Sequence, residues 1–249
     1  MALIVSLFFI YLWYTQKEVH MENIFKTYFE KRYLEENSIQ SNHPRPVVTI
    51  SREFGCHSRI IAMMLSDALN RKSKEKRQAK WRFINKEVVE EASRELEINT
   101  VEFKALLGAE NSGFVKDVLN SFSTHYVTSL KIKKILEKVI RAIAQQGHIV
   151  IVGRGSAAIL QGVPNVLHVR LQAPIEWRIK GISLTRDVSE EEARKMAIET
   201  DKKRTALIEL LSGKTLAPHF FDVIYNCSTL SKEEIVQSIL MIMESKKMI

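Results

Sequence analysis

Arginine recurs in this chain beside glycine and at turns, the pattern of a site that handles phosphate. Ser51-Arg-Glu-Phe-Gly-Cys-His-Ser-Arg59 follows the β-branched run Val47-Val-Thr-Ile50 and leads into an apolar-periodic stretch. A strand, a sharp turn at Gly55 and a helix start form the layout in which backbone N–H groups at a helix N-terminus cradle phosphate. The motif Gly-x-x-x-x-Gly-Lys-[Ser/Thr] is absent, so the lysine for the β- and γ-phosphates and the hydroxyl for magnesium are missing from their usual places. Further along, Gly153-Arg154-Gly155 closes an apolar run, and two flanking glycines would let the backbone turn while the guanidinium grips a phosphate in two places. Read alone, Arg154 is a surface arginine at a strand end. Asp201-Lys-Lys-Arg204 puts an acid and a base on one helix face, which in isolation is a local i,i+3 pair worth about 0.3 kcal/mol.

These residues need a scaffold that brings strand ends together. His148-Ile-Val-Ile-Val152 is a nearly continuous apolar run of strand length, and Asn165–Leu171 and Asp222–Cys227 are two more, each separated by helical sequence. That alternation predicts right-handed crossovers and a three-layer α/β/α arrangement around a parallel sheet. Ligands of such sheets bind beyond the carboxyl ends of the strands, where the arginines fall. Pro174 starts one helix, and Ser189 with Glu192 and Ser231 with Glu234 read as capping boxes of two others. Residues 21–36 read as an amphipathic helix, 37–46 as a connector, and 71–82 as a basic, solvated loop. From Lys86 to Gln146 the pattern is helical, with a break marked by Gly108 and Gly113.

The chain has 249 residues, 45% apolar and 27% charged, enough for one large domain or two small ones with a real core. A net charge of +8 suits a polyanion, a small phosphorylated substrate or a soluble surface. No recognised nucleic-acid motif accompanies it, so no nucleic-acid partner is expected. Cys56 and Cys227 give neither a disulfide framework nor metal spacing, which fits a reducing compartment and a cytoplasmic location. Met1–Gln16 is uncharged and mostly apolar, yet shorter than the roughly 20 residues of a membrane span. Three readings compete for it: an upstream extension before a start at Met21, a short membrane anchor, or a packed helix.

Taken in order, Ser51-Arg-Glu-Phe-Gly55, Ile-Val-Gly-Arg-Gly155, Gln172-Ala-Pro-Ile-Glu-Trp-Arg178, Asp201-x-x-Arg204 and Asp222-Val-Ile-Tyr-Asn226 resemble the cytidylate kinase-like family over residues 46 to 243. The resemblance implies a P-loop nucleoside-monophosphate kinase fold with a helical acceptor-binding region over 85–146 and a basic lid at about 201–221. Residues 1–45 would form a separate arm and 46–249 the domain. It further implies ATP and Mg2+ as cofactors, nucleotides as substrates, and phosphoryl transfer to a monophosphate, most simply CMP or dCMP. On it, Ser51, Arg52, Gly55, Cys56, His57, Ser58 and Arg59 make the phosphate loop. Arg59 and Arg204 are the catalytic cations, Arg154 and Asp201 bind the acceptor's phosphate and pentose, and Arg178 belongs to the lid. Asn85 stands where the family tends to show an aspartate. Gly55-Cys-His-Ser-Arg59 departs even from the Gly-Ser-Gly-Gly-Arg of the kinase-like branch, which keeps a second reading open: a non-catalytic nucleotide-binding or regulatory protein on the same fold.

Overall fold

A computed structural model of the chain describes residues 45–75, 79–84 and 124–249. The expectations for the apolar N-terminus, the 21–36 helix, Asn85 and the acceptor-binding region as far as residue 123 lie outside the described residues.

Among the described residues five strands form a single sheet: β1 Val47–Arg52, β2 Arg82–Ile84, β3 Ile149–Val152, β4 Val166–Gln172 and β5 Val223–Asn226. Their order is β2-β3-β1-β4-β5 and every pairing is parallel. The helices are α1 Ser58–Glu75, α2 Thr124–Gln146, α3 Ser156–Ile159, α4 Ile175–Arg186, α5 Glu190–Ser212 and α6 Lys232–Ser245, with a 3-10 turn at Pro218–Phe220. The fold expected from the alternation of strand and helix is the fold observed.

β1 is central because its side chains are buried on both faces, Thr49 and Ser51 included. Val48 and Ile50 pack with Ile61, Leu65 and Leu69 of α1 and with Ile235, Ile239 and Met243 of α6 in the main core. The opposite face packs against α3, and α2 and α5 complete that layer by contacting α3. Parallel strands covered on both sides read as unbroken apolar runs, and that is how β3 reads, while β1 is interrupted by the buried hydroxyls of Thr49 and Ser51.

Register decides what meets at the strand ends. Ile50 lies opposite Val152 and Arg52 opposite Leu171. The Gly153 N–H donates to the Ile50 carbonyl at 3.0 Å, so Ser51 and Arg52 emerge beside Gly153 and Arg154. Strand order changes side at β1, the switch point at which open sheets leave a crevice.

Of the two expected capping boxes, Ser231 forms the reciprocal one with Glu234, while Ser189 Oγ accepts from the Glu192 N–H alone. The stretch expected as a lid, about 201–221, is the second half of α5 followed by Gly213 and the 3-10 turn.

A buried polar pair ties β1 to β4. His168 is buried, and its Nδ1 lies 2.8 Å from Thr49 Oγ1. Its backbone N–H donates to Asp222 Oδ2 at 2.7 Å. Burial lowers the His168 pKa below the ordinary 6.5, against the opposing pull of Asp222 and of the hydrogen bond to Leu160. The fold therefore favours neutral imidazole. Nothing is lost above pH 6.5, and stability falls as pH drops below it towards the lower folded-state value. The decline in melting temperature between about pH 7 and pH 5 should accordingly be shallower in His168→Gln; an equal slope would remove the imidazole from the account.

Candidate functional site

The β1–α1 loop is built from the backbone outward. Gly55 turns at φ 95° and His57 at φ 44°, and α1 begins at the next residue. The His57 carbonyl accepts from the N–H groups of Ile60 and Ile61 at 3.0 and 3.2 Å. The N–H groups of Gly55, His57, Ser58 and Arg59 donate to no backbone carbonyl among the described residues. They form the concavity of a phosphate loop with its donors unspent. The sequence expects the Cβ of His57 to oppose positive φ. The left-handed geometry is kept with histidine, a strain of about 1–2 kcal/mol that the packed surroundings must hold.

What holds the loop is the hairpin of α4 and α5. Phe54 packs against Ile179, Ile182, Ala193 and Ala197 between these helices. Its N–H donates to Asp201 Oδ1 at 2.7 Å, and its carbonyl accepts from Arg178 Nη1 at 3.1 Å. The same Nη1 donates to Asp201 Oδ2 at 2.6 Å, while Arg178 Nε donates to the Ala173 carbonyl at 3.0 Å. Glu53 completes the clasp. Its Oε2 accepts from the Ala173 N–H at 3.1 Å and lies 3.4 Å from Arg178 Nε. The guanidinium groups of Arg186 and Arg204 each lie 5.5 Å from the centre of the Phe54 ring.

The crevice beside this clasp is lined by Ser51, Arg52, Arg154, Arg204, Leu207 and Ile208 among others. Gly153, Arg154 and Gly155 are successive left-handed residues at φ 76°, 55° and 68°. A Cβ at Gly153 would collide with the guanidinium of Arg52, and one at Gly155 with Leu211. The two glycines therefore make room for side chains as well as for a turn. Arg204 Nη1 donates to the Arg52 carbonyl at 3.4 Å and lies 3.6 Å from Asp201 Oδ1. Burial and the neighbouring charges of Arg204 and Arg154 push the Arg52 pKa down to about 9, with Asp201 opposing. Arginine keeps its proton at neutral pH, so three mutually repelling cations line one wall.

On the far side of the loop a second cleft is lined by Cys56, His57, Trp177, Leu230, Ser231 and Lys232 among others. His57 meets Trp177 edge-on at 5.9 Å between ring centres. Cys56 is buried against Cys227, and their hydrogen bond together with burial raises its pKa, which leaves an unreactive thiol.

The expected site residues divide accordingly. Arg52, Arg154 and Arg204 meet in one crevice, and Ser51 borders it. Gly55, Cys56, His57 and Ser58 form the loop, and Arg59 is exposed on the first turn of α1. Asp201, expected at a pentose, has both oxygens engaged by Phe54 and Arg178. Arg178, expected as a lid arginine, is buried beneath the loop. Glu53, Phe54 and Trp177 escaped notice as functional residues. Glu53 and Phe54 lie inside the loop motif and could have been questioned there, whereas no spacing signals Trp177. Among the described residues no cluster of three His, Cys, Asp or Glu could hold a metal, and Arg59 occupies the position of the usual hydroxyl. These side chains do not fit a resident magnesium ion. No described helix is long and apolar enough to cross a membrane.

A family profile described as "Cytidylate kinase-like family" matches residues 47–229. Among solved structures, an uncharacterized protein from Eubacterium ventriosum ATCC 27560 superposes with a TM-score of 0.57 at 18% identity, over 81% of this chain and 99% of that one. A shikimate kinase from Bacteroides thetaiotaomicron gives 0.45 at 13% identity over 80% and 98% of the two chains. A gluconokinase from Sinorhizobium meliloti 1021 gives 0.40 at 12% over 80% and 90%. No curated protein matches the sequence. At these identities the first likeness establishes a shared fold.

Asp201→Asn turns an amide donor towards Arg178 or Phe54 and leaves one of them without its acceptor. The expected loss is about 2 kcal/mol of unfolding free energy, read as a lower midpoint in urea. An unchanged midpoint would show that the clasp is incidental.

Proposed function

The chain belongs to the cytidylate kinase-like family, and on that premise we propose that it transfers the terminal phosphoryl group of ATP to a nucleoside monophosphate, most simply CMP or dCMP. The observation that carries this reading is the left-handed Gly153-Arg154-Gly155 turn at the end of β3. It holds an arginine in a strained backbone conformation at the mouth of a crevice that already contains two other arginines. Strain of this kind persists where the surroundings impose it, and it concentrates at ligand sites.

The donor's phosphates lie against the unspent N–H groups of Gly55, His57, Ser58 and Arg59, and its base enters the cleft beside Trp177. Arg154 binds the acceptor's phosphate. An oxygen of that phosphate attacks the terminal phosphorus of the donor. The bond to the bridging oxygen breaks and the nucleoside diphosphate departs with the electron pair. Arg204 sits between loop and crevice, where it neutralises charge on the transferring group. Exposed Arg59 folds over the donor phosphates in place of the absent lysine. Magnesium would come with the donor as its counter-ion rather than on these side chains, and the protein's own part is the ring of guanidinium groups. Asp201 acts as a positioning residue that fixes the loop against α5, and cytoplasmic operation follows from the reading.

A second reading, a nucleotide-binding module without turnover, is favoured by one observation: Ser58 and exposed Arg59 stand where the donor site ordinarily has a lysine and a hydroxyl. Loss of that charge at the transferring group reduces turnover by several orders of magnitude unless another cation replaces it.

A coupled assay for nucleoside diphosphate with Mg-ATP and a panel of ribo- and deoxyribonucleoside monophosphates separates the two. Turnover with one acceptor is expected, and silence across the panel from folded protein selects the binding module. Arg59→Ala should remove turnover and leave the melting temperature nearly unchanged, because the side chain is exposed. Full activity in that variant would assign the donor charge to a different cation.

A further inference from the structure

Arg52 is the cation that the phosphate-loop comparison does not explain. It occupies the first position after the buried part of β1, where a phosphate loop ordinarily places glycine. Its guanidinium lies against Gly153 at the end of β3. The space it fills exists because Gly153 has no side chain. Among the described residues its guanidinium makes no hydrogen bond or ion pair: the one polar contact of this residue outside the strand ladder is its carbonyl, which accepts from Arg204. Among the described residues the neighbouring carboxylates make their short contacts elsewhere, and Asp201 reaches Arg52 only through its field. Asp201 holds Phe54 and Arg178, and Glu53 holds Ala173 and Arg178.

A half-buried guanidinium beside two others, with no partner of its own, lowers the stability of the free protein. Such an arrangement makes sense if an anion completes it. Phosphate on a monoester carries close to two negative charges at neutral pH and offers three acceptor oxygens, and a guanidinium fork takes two of them side by side. A neutral sugar hydroxyl would leave the cation unneutralised.

We propose that Arg52 is a binding residue of the acceptor site, closing on the terminal phosphate dianion of the acceptor from the β1 side while Arg154 closes from the β3 side. The inference rests on the reading of the acceptor as a phosphomonoester. It adds a residue that selects phosphorylated over unphosphorylated acceptors, and it gives Gly153 a reason: the missing side chain admits the arginine.

The test is calorimetric titration of the full chain with CMP, cytidine and inorganic phosphate, with the unfolding temperature of each variant measured without ligand. Arg52→Gln should weaken CMP and inorganic phosphate by about 10- to 100-fold and leave cytidine unaffected. Its unfolding temperature should stay the same or rise, because an unpaired cation has gone. Arg52→Lys, which keeps the charge and loses the fork, should fall between. Unchanged CMP affinity in both variants overturns the role of Arg52 and leaves the kinase reading standing. Equal loss for CMP and cytidine with a lower unfolding temperature overturns it too, since that is the signature of a structural arginine. Turnover of the wild type on an unphosphorylated acceptor alone would instead overturn the reading of the acceptor itself.

Discussion

The carboxylate of Asp201 joins the two halves of the site. One oxygen takes the Phe54 N–H and the other takes buried Arg178, so a single side chain on α5 fixes both the loop after β1 and the start of α4. Phe54 then has no freedom to withdraw, because its ring is packed among the apolar residues between the helices. The loop's strained residue, His57, lies three positions further on, and its left-handed conformation survives because the residues before it are clamped. Local strain is tolerable when the flanking chain is over-determined. A loop with glycine at that position needs no such clamp; this loop has exchanged backbone permissiveness for a tertiary anchor.

The same anchor shapes the electrostatics. Asp201 binds Arg178 at 2.6 Å and lies 3.6 Å from Arg204, and among the described residues that line the crevice there are three arginines and no carboxylate, a cationic excess. Sheet register makes that excess directional, since Ile50 lies against Val152 and the two arginine-bearing strand ends emerge side by side. Preorganised positive charge in a partly dry cleft serves phosphoryl transfer because little reorganisation remains when the ligand arrives. Burial depresses the Arg52 and Arg204 pKa values for the same reason that it strengthens their hold on an anion.

The sheet was legible because its strands are short apolar-rich runs separated by helical sequence; β3 starts one residue late, β4 is displaced by one residue at both ends, and β5 is one residue shorter at each end. The arginine cluster was legible one motif at a time, through glycine and strand-end position. Its convergence depends on register, which no local pattern encodes. Asp201 shows the limit most clearly. Its spacing to Arg204 pointed to a helix-surface pair or a sugar contact, and its actual partners, Phe54 and Arg178, lie 147 and 23 residues away. The role of Gly153 was half legible: the turn followed from the glycine, but the entry of the Arg52 side chain is a packing fact between two strands. His57 defied expectation because its cost is local and its support is not.

The central claim is that a donor site on the loop and an acceptor site in the arginine crevice meet with their phosphates in line. The most direct measurement is the affinity of a single molecule that joins adenosine and a pyrimidine nucleoside through a chain of phosphates, set against ATP and CMP separately. Two sites that share one line of phosphates should bind the joined molecule at least about a hundredfold more tightly than either nucleotide, because the second contact becomes intramolecular. A joined molecule that binds no more tightly than ATP alone would contradict the account.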